Sequence, residues 1–171
     1  MKAGNWEAPG AVETYHGITA PIYVLFLIVT TDCPLDCVYC FVKKTPRYMD
    51  EDTAKKGVEL LMKSPGQEKL LKLYGGEPLM NFKLIEKVVP FAKELAKVEK
   101  RSLTVTVCTS MVTVNKKMVE FFKKYRISLA LSSDGSPATQ NRYRIYKNGA
   151  DTAGMTETKL KWLCASINRE K

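Results

Sequence analysis

The stretch Ile22 to Val29, I-Y-V-L-F-L-I-V, is apolar without a break and runs directly into a loop holding three cysteines. A run this short, rich in β-branched and aromatic residues, predicts a parallel strand buried on both faces. Parallel strands cannot be joined by hairpins, so each needs a crossover, usually a helix. The rest of the chain alternates accordingly. Asp50 or Asp52 can cap a helix with Ala54, Val58, Leu61 and Met62 on one face, and Ser64-Pro65-Gly66 stops it. Leu70 to Tyr74 reads as a second strand that enters Gly75-Gly76-Glu77-Pro78. Leu84, Ile85, Val88, Val89, Ala92, Leu95 and Ala96 recur at helical spacing, with Pro90 expected to kink or split that helix. Leu103 to Val107 reads as a third strand, and Asn115 caps a helix that turns Met118, Val119 and Phe122 inward. Ile127 to Ser132 is a fourth strand, ending at Ser133-Asp134-Gly135. A loop rich in Asn and Gly then runs to about Gly154, before a last helix with Leu160, Leu163, Cys164 and Ile167 on one face.

About four βα units in succession predict an α/β fold, a parallel sheet with right-handed crossovers. Residues 21–171 form one core domain in this reading, and residues 1–20 an N-terminal extension. Ligands of such sheets sit at the C-terminal ends of the strands. The cysteine loop, Gly75 to Pro78, Thr109-Ser110 and Ser132 to Gly135 all fall at that edge.

Cys33, Cys37 and Cys40 make a C-x3-C-x2-C triplet. Three thiols within eight residues can converge on one inorganic centre, an iron–sulfur cluster or zinc, both of which normally take four ligands. The other cysteines, Cys108 and Cys164, are distant and read as small buried hydrophobes. A cluster held by three cysteines leaves one iron for a small molecule. Structural zinc usually shows a C-x2-C pair at each end of its site, and here the second pair is missing. A disulfide would leave one of the three odd, in a chain lacking a secretory signature. Spacing favours a cluster and leaves zinc, or no metal, open.

The N-terminus lacks the basic-then-apolar order of a signal peptide, and the longest apolar run falls far short of the ~20 residues that cross a bilayer. Five cysteines without a paired framework fit the cytoplasm, with no membrane association. The formal charge of +9 raises the question of nucleic acid, but most lysines alternate with acids on helix faces, as solvated faces do. The densest cationic cluster, Arg142, Tyr143, Arg144, Tyr146 and Lys147, is the one stretch suited to phosphates or bases. His16, the single histidine, is assigned no role.

C-P-L-D-C-V-Y-C after the first strand and Y-G-G-E-P-L-M after the second together resemble the radical S-adenosylmethionine (SAM) enzymes. L-S-S-D-G with R-Y-R downstream is similar to the branch holding the anaerobic sulfatase-maturing and peptide-modifying (SPASM-type) enzymes. The resemblance runs from about Ile22 to Leu163. It implies that Cys33, Cys37 and Cys40 hold three irons of a 4Fe-4S cluster whose fourth iron is chelated by SAM. It further implies that the backbone at Tyr39 meets the adenine and that carbonyls at Gly75, Gly76 and Glu77 accept from the SAM ammonium. Thr109 joins the cofactor contacts, and Ser132 and Arg144 address the SAM carboxylate, a group that arginine matches well. Val38 and Phe41 would shield the cluster.

The activity implied is reductive cleavage of SAM to a 5′-deoxyadenosyl radical that modifies a peptide or protein side chain, with a flavodoxin or ferredoxin as electron donor. The alternatives are a non-catalytic iron–sulfur or zinc module and a nucleic-acid-modifying relative. Two positions depart from the branch: Thr109-Ser110-Met111 stands where T-N-G is usual, and Gln140-Asn141 where H-D is usual. The family's partial TIM-like barrel has six βα units against about four here. The expectation is an N-terminal part of the domain, with an open sheet edge through which it self-associates.

Overall fold

The computed structural model describes residues 20–43 and 45–167; His16 and nearly all of the 1–20 extension lie outside them. Strands β1 (Val24–Thr30), β2 (Glu68–Gly75), β3 (Ser102–Thr109) and β4 (Ser128–Leu131) form one parallel sheet in the order β1-β2-β3-β4. Helices α1 (Glu51–Lys63), α2 (Phe82–Val98) and α3 (Lys116–Lys124) make the crossovers. Helices α4 (Pro137–Tyr143) and α5 (Ala153–Ile167) follow β4. This is the four-unit part of a TIM-like barrel. Among the described residues no helix is long and apolar enough to cross a membrane.

Side-chain parity divides the sheet into two faces. Leu27, Val29, Leu71, Leu73, Val105 and Val107 are buried against Val58, Ile85, Val88, Ala92, Val119 and Phe122 of the helices. The opposite face is the lumen side of the barrel, where Val24, Phe26 and Ile28 are 44%, 51% and 42% exposed. The expected two-sided burial of the first strand is therefore wrong. The apolar run is genuine, but helices cover only one face of it.

Local chemistry explains the helix ends. The Asp50 carboxylate accepts from the Thr53 N–H at 2.8 Å, and the Asn115 side chain accepts from the Met118 N–H at 3.0 Å, satisfying orphan donors of the first turn. Pro90 does not split α2, which is continuous from Phe82 to Val98. Burial of Val88, Val89 and Ala92 around it offsets the missing N–H. The expected Asn- and Gly-rich loop contains α4, announced by Ser136 at its N-cap and Pro137 in its first turn. In α5 Leu163 is buried while Leu160 and Cys164 are exposed, so the expected apolar face is narrower; the Ile167 side chain lies outside the described residues.

Candidate cluster and cofactor site

The loop that follows β1 carries the cysteines, and the turn after β2 holds it down. Gly76 N–H donates to Thr30 O at 2.9 Å, and Glu77 N–H donates to Asp32 O at 2.8 Å. The two backbones approach so closely that a Cβ on Gly75 would sit 2.0 Å from Thr30 O, and one on Gly76 would sit 2.3 Å from Asp32 O. Gly75 also has φ +142°, in the region that favours glycine. Contact between two loops of the chain thus already demands both glycines.

Glu77 ties this turn to the end of β3. Its buried carboxylate accepts from Leu79 N–H (3.3 Å), Thr109 Oγ1 (2.7 Å), Ser110 N–H (2.9 Å) and Ser110 Oγ (2.5 Å). Burial pushes its pKa up, although the four donors pull the other way. Neither the Glu77 nor the Thr109 side chain faces the cavity, and Ser110 takes that place on the wall.

A second restraint arrives from the far end of the chain. Residues 143–147 lie antiparallel against the cysteine loop: Val38 N–H donates to Tyr143 O (3.0 Å), Asp36 N–H to Ile145 O (2.7 Å), and Lys147 N–H to Pro34 O (3.1 Å). Asp32 anchors the same strap, accepting from Lys147 Nζ (3.1 Å), Tyr48 OH (2.7 Å) and Cys33 N–H (2.9 Å). The Tyr48 hydroxyl, then Lys147 and the Cys33 N–H, hold its pKa below the usual carboxylate range against some desolvation. Of the cations in the Arg142 to Lys147 cluster, Lys147 pairs with Asp32 of the loop and Arg144 with Asp134, while Arg142 lies exposed over the Tyr143 ring.

Between these restraints Cys33, Cys37 and Cys40 line one cavity together with Tyr39, Gly75, Gly76, Ser110, Ser132 and Arg144. Of the ten candidate residues, all but Glu77 and Thr109 reach its wall. The sulfurs sit among donors suited to thiolates. Leu35 N–H points at Cys33 Sγ (3.4 Å), and Arg144 Nη1 lies 4.0 Å from Cys37 Sγ. Among the described residues no three Cys, His, Asp or Glu side chains are close enough to share one metal ion.

Arg144 is aimed by a residue that sequence reasoning passed over. Asp134 accepts from Arg144 Nε at 3.1 Å and from Tyr39 OH at 2.8 Å, while the guanidinium lies 5.4 Å from the Tyr39 ring centre. Burial and the Asp134 carboxylate push the Tyr39 phenol up to about 12. Cys108 was also missed: it lines the cavity, its thiol raised by burial. Val38 is exposed and lies off the cavity wall, whereas Phe41, 83% exposed, lines the cavity beside the cysteines.

Comparison with known proteins places this arrangement. The chain is 35% identical over 126 residues to an uncharacterized protein of Methanocaldococcus jannaschii, covering 73% of this chain and 43% of that protein. It is 26% identical over 175 residues to the radical SAM cyclopropyl synthase TigE of Paramaledivibacter caminithermalis, covering 92% of this chain and 35% of TigE. Native anSMEcpe with bound AdoMet shares the fold, with a TM-score of 0.77 at 19% identity over 86% of this chain and 42% of that one. The chain thus spans less than half the length of these relatives. The Radical SAM superfamily model matches residues 27–163, which takes in the cysteine loop, the Gly75-Gly76 turn and Arg144, and by that match the chain belongs to the radical SAM superfamily.

Proposed function

We propose that this chain binds a 4Fe-4S cluster through Cys33, Cys37 and Cys40 and binds SAM beside it, as part of a radical SAM enzyme acting on a peptide or protein side chain. The observation that carries the reading is the single cavity at the C-terminal edge of the sheet. It gathers the three thiols, the Gly75-Gly76 turn, Ser132 and Arg144. When bound, cluster and SAM supply one-electron cleavage of a sulfonium C–S bond, giving a 5′-deoxyadenosyl radical that takes a substrate hydrogen atom.

The residues of the chain do the rest. The cysteine loop, pinned by Gly76, Glu77 and the 143–147 strap, presents the thiols in a fixed frame. Carbonyls of the Gly75-Gly76-Glu77 turn accept the SAM ammonium, and the Tyr39 backbone meets the adenine. Thr109 acts through Ser110 and Glu77, shaping the wall. Ser132 and Arg144 take the SAM carboxylate, Arg144 through the nitrogens that Asp134 leaves available.

A peptide substrate is supported by the fold shared with anSMEcpe, a structure of which holds a Cp18Cys peptide (TM-score 0.77, 19% identity). A flavodoxin or ferredoxin in the cytoplasm would supply the electron, and residues 21–171 act as one core domain. The nucleic-acid alternative is weakened because the Arg142 to Lys147 segment is engaged with the cysteine loop. Anaerobic reconstitution with iron and sulfide tests the reading. About four irons per chain are expected, lost in Cys33→Ala, Cys37→Ala or Cys40→Ala and kept in Cys108→Ala, with 5′-deoxyadenosine formed from SAM under strong reductant. Zinc bound in place of iron would refute it.

A further inference from the structure

One lumen residue has a charge that nothing in the site uses. Lys72 stands mid-way along β2, on the lumen face, in a row that register fixes as Phe26–Lys72–Thr106–Ser128. Its ammonium lies over the Phe26 ring, 5.0 Å from the centroid. Among the described residues no carboxylate or carbonyl partners it. Lys69, three positions earlier on the helix side, shows the contrast: its ammonium donates to Ile22 O at 2.8 Å and Pro65 O at 2.7 Å. Two residues beyond Lys72 on the same face is Tyr74, which lines the cysteine cavity beside Cys108, and Lys72's charge acts on the Cys108 thiol. The Lys72 Cα thus lies about 7 Å down the strand from that of Tyr74 on the cavity wall.

A half-covered cation beside an aromatic ring, with two hydroxyls in line, is matched by one negative charge. Phosphate sites normally add a forked arginine or a helix N-terminus, and neither is present in this row. We infer that Lys72 binds a carboxylate of the substrate peptide in the barrel lumen, with Thr106 and Ser128 as supporting donors, so that the enzyme selects peptides acidic near the reacting residue. The inference rests on the peptide-modifying reading and narrows its substrate class. The net charge of +9 favours the approach of such a peptide without choosing among acidic ones.

The test is fluorescence anisotropy at physiological salt with the reconstituted full chain and three fluorescein-labelled Gly/Ala peptides. One carries a single Asp and an amidated C-terminus, the second has Asn at that place, and the third has Asn with a free C-terminal carboxylate. The parent should prefer the Asp peptide, the free-carboxylate peptide or both over the neutral one by about tenfold or more, and which one wins identifies the source of the charge. Lys72→Met should erase the preference and Lys72→Arg retain it, while Lys124→Met, on α3, should leave it unchanged. Thr106→Asp, which places an internal carboxylate beside Lys72, should also erase it and covers the case in which Lys72→Met folds poorly. Equal binding of all three peptides by the parent, or an undiminished preference in Lys72→Met or Thr106→Asp, would overturn the inference. Iron content and 5′-deoxyadenosine are measured on the same samples. A parent that shows the preference but forms no 5′-deoxyadenosine keeps this inference and sinks the radical reading, and the reverse result does the opposite.

Discussion

Met111 holds a left-handed backbone (φ +71°) with its side chain fully buried. An L-residue pays roughly 1–2 kcal/mol for that conformation, whereas removing a buried methionine side chain costs about 2–5 kcal/mol. Packing therefore wins. Met111→Gly should lose about 1–3 kcal/mol in chemical denaturation, and Met111→Ala should lose more, because it empties the pocket and keeps the strain. That order reverses the usual ranking of the two residues. Asp32 supplies a pH test. Its depressed pKa means that the native contacts favour the charged form. Its contribution is present above the ordinary carboxylate value of 3.8 and is lost as pH falls through the lower native value. Asp32→Asn should be less stable at pH 7 and converge with the parent as pH falls below the native carboxylate value, and stability curves that stay parallel on acidification would rule this out. Most cavity residues were legible at this scale, because loops at the strand ends are where such sheets bind ligands. The partners of those residues were not legible: Tyr39 and Asp134 meet across 95 positions, and no local pattern encodes that contact.

Glu77 shows how one side chain joins elements. Two of its four contacts are backbone N–H groups, which can only donate. Glu77→Gln must turn an NH2 toward one of them, leaving a buried donor facing a donor. The expected loss is about 1–3 kcal/mol of stability. Iron loading should fall as well, because the same turn fixes Asp32 at the head of the cysteine loop; a full complement of iron in Glu77→Gln would separate the two roles. The crossover helices were readable from apolar spacing and caps, as at Asp50 and Asn115. Helix α4 was obscured by its polar, Asn-containing sequence, although Ser136-Pro137 was a start signal. The first strand was misjudged for a physical reason: a run of apolar residues looks alike whether its second face meets helices or lines a barrel lumen.

At the scale of the molecule, helices cover one face of the sheet, and Val24, Phe26 and Ile28 leave an apolar surface on the other. Among the described residues no strand pairs with the outer edge of β4. Unpaired strand edges and apolar patches recruit further chains. The 171-residue chain is expected to self-associate at micromolar concentration, with a mass by light scattering that rises with concentration and falls when Phe26→Lys is introduced. A concentration-independent monomer would contradict this.

The strap at residues 143–147 sets an order of events in time. The cysteine loop is held from nearby by Gly76 and Glu77, but the contacts that reach its thiols and close its strap come from residues 107 and 115 positions later, Arg144 to Cys37 and Lys147 to Asp32. Closing loops of that length is entropically costly and slow relative to local helix formation. The thiols are therefore held from one side only, open to oxidation and to stray metals, until β4 and α4 are in place. Insertion of the proposed cluster is then expected to be a late step, gated by the arrival of the 143–147 strap.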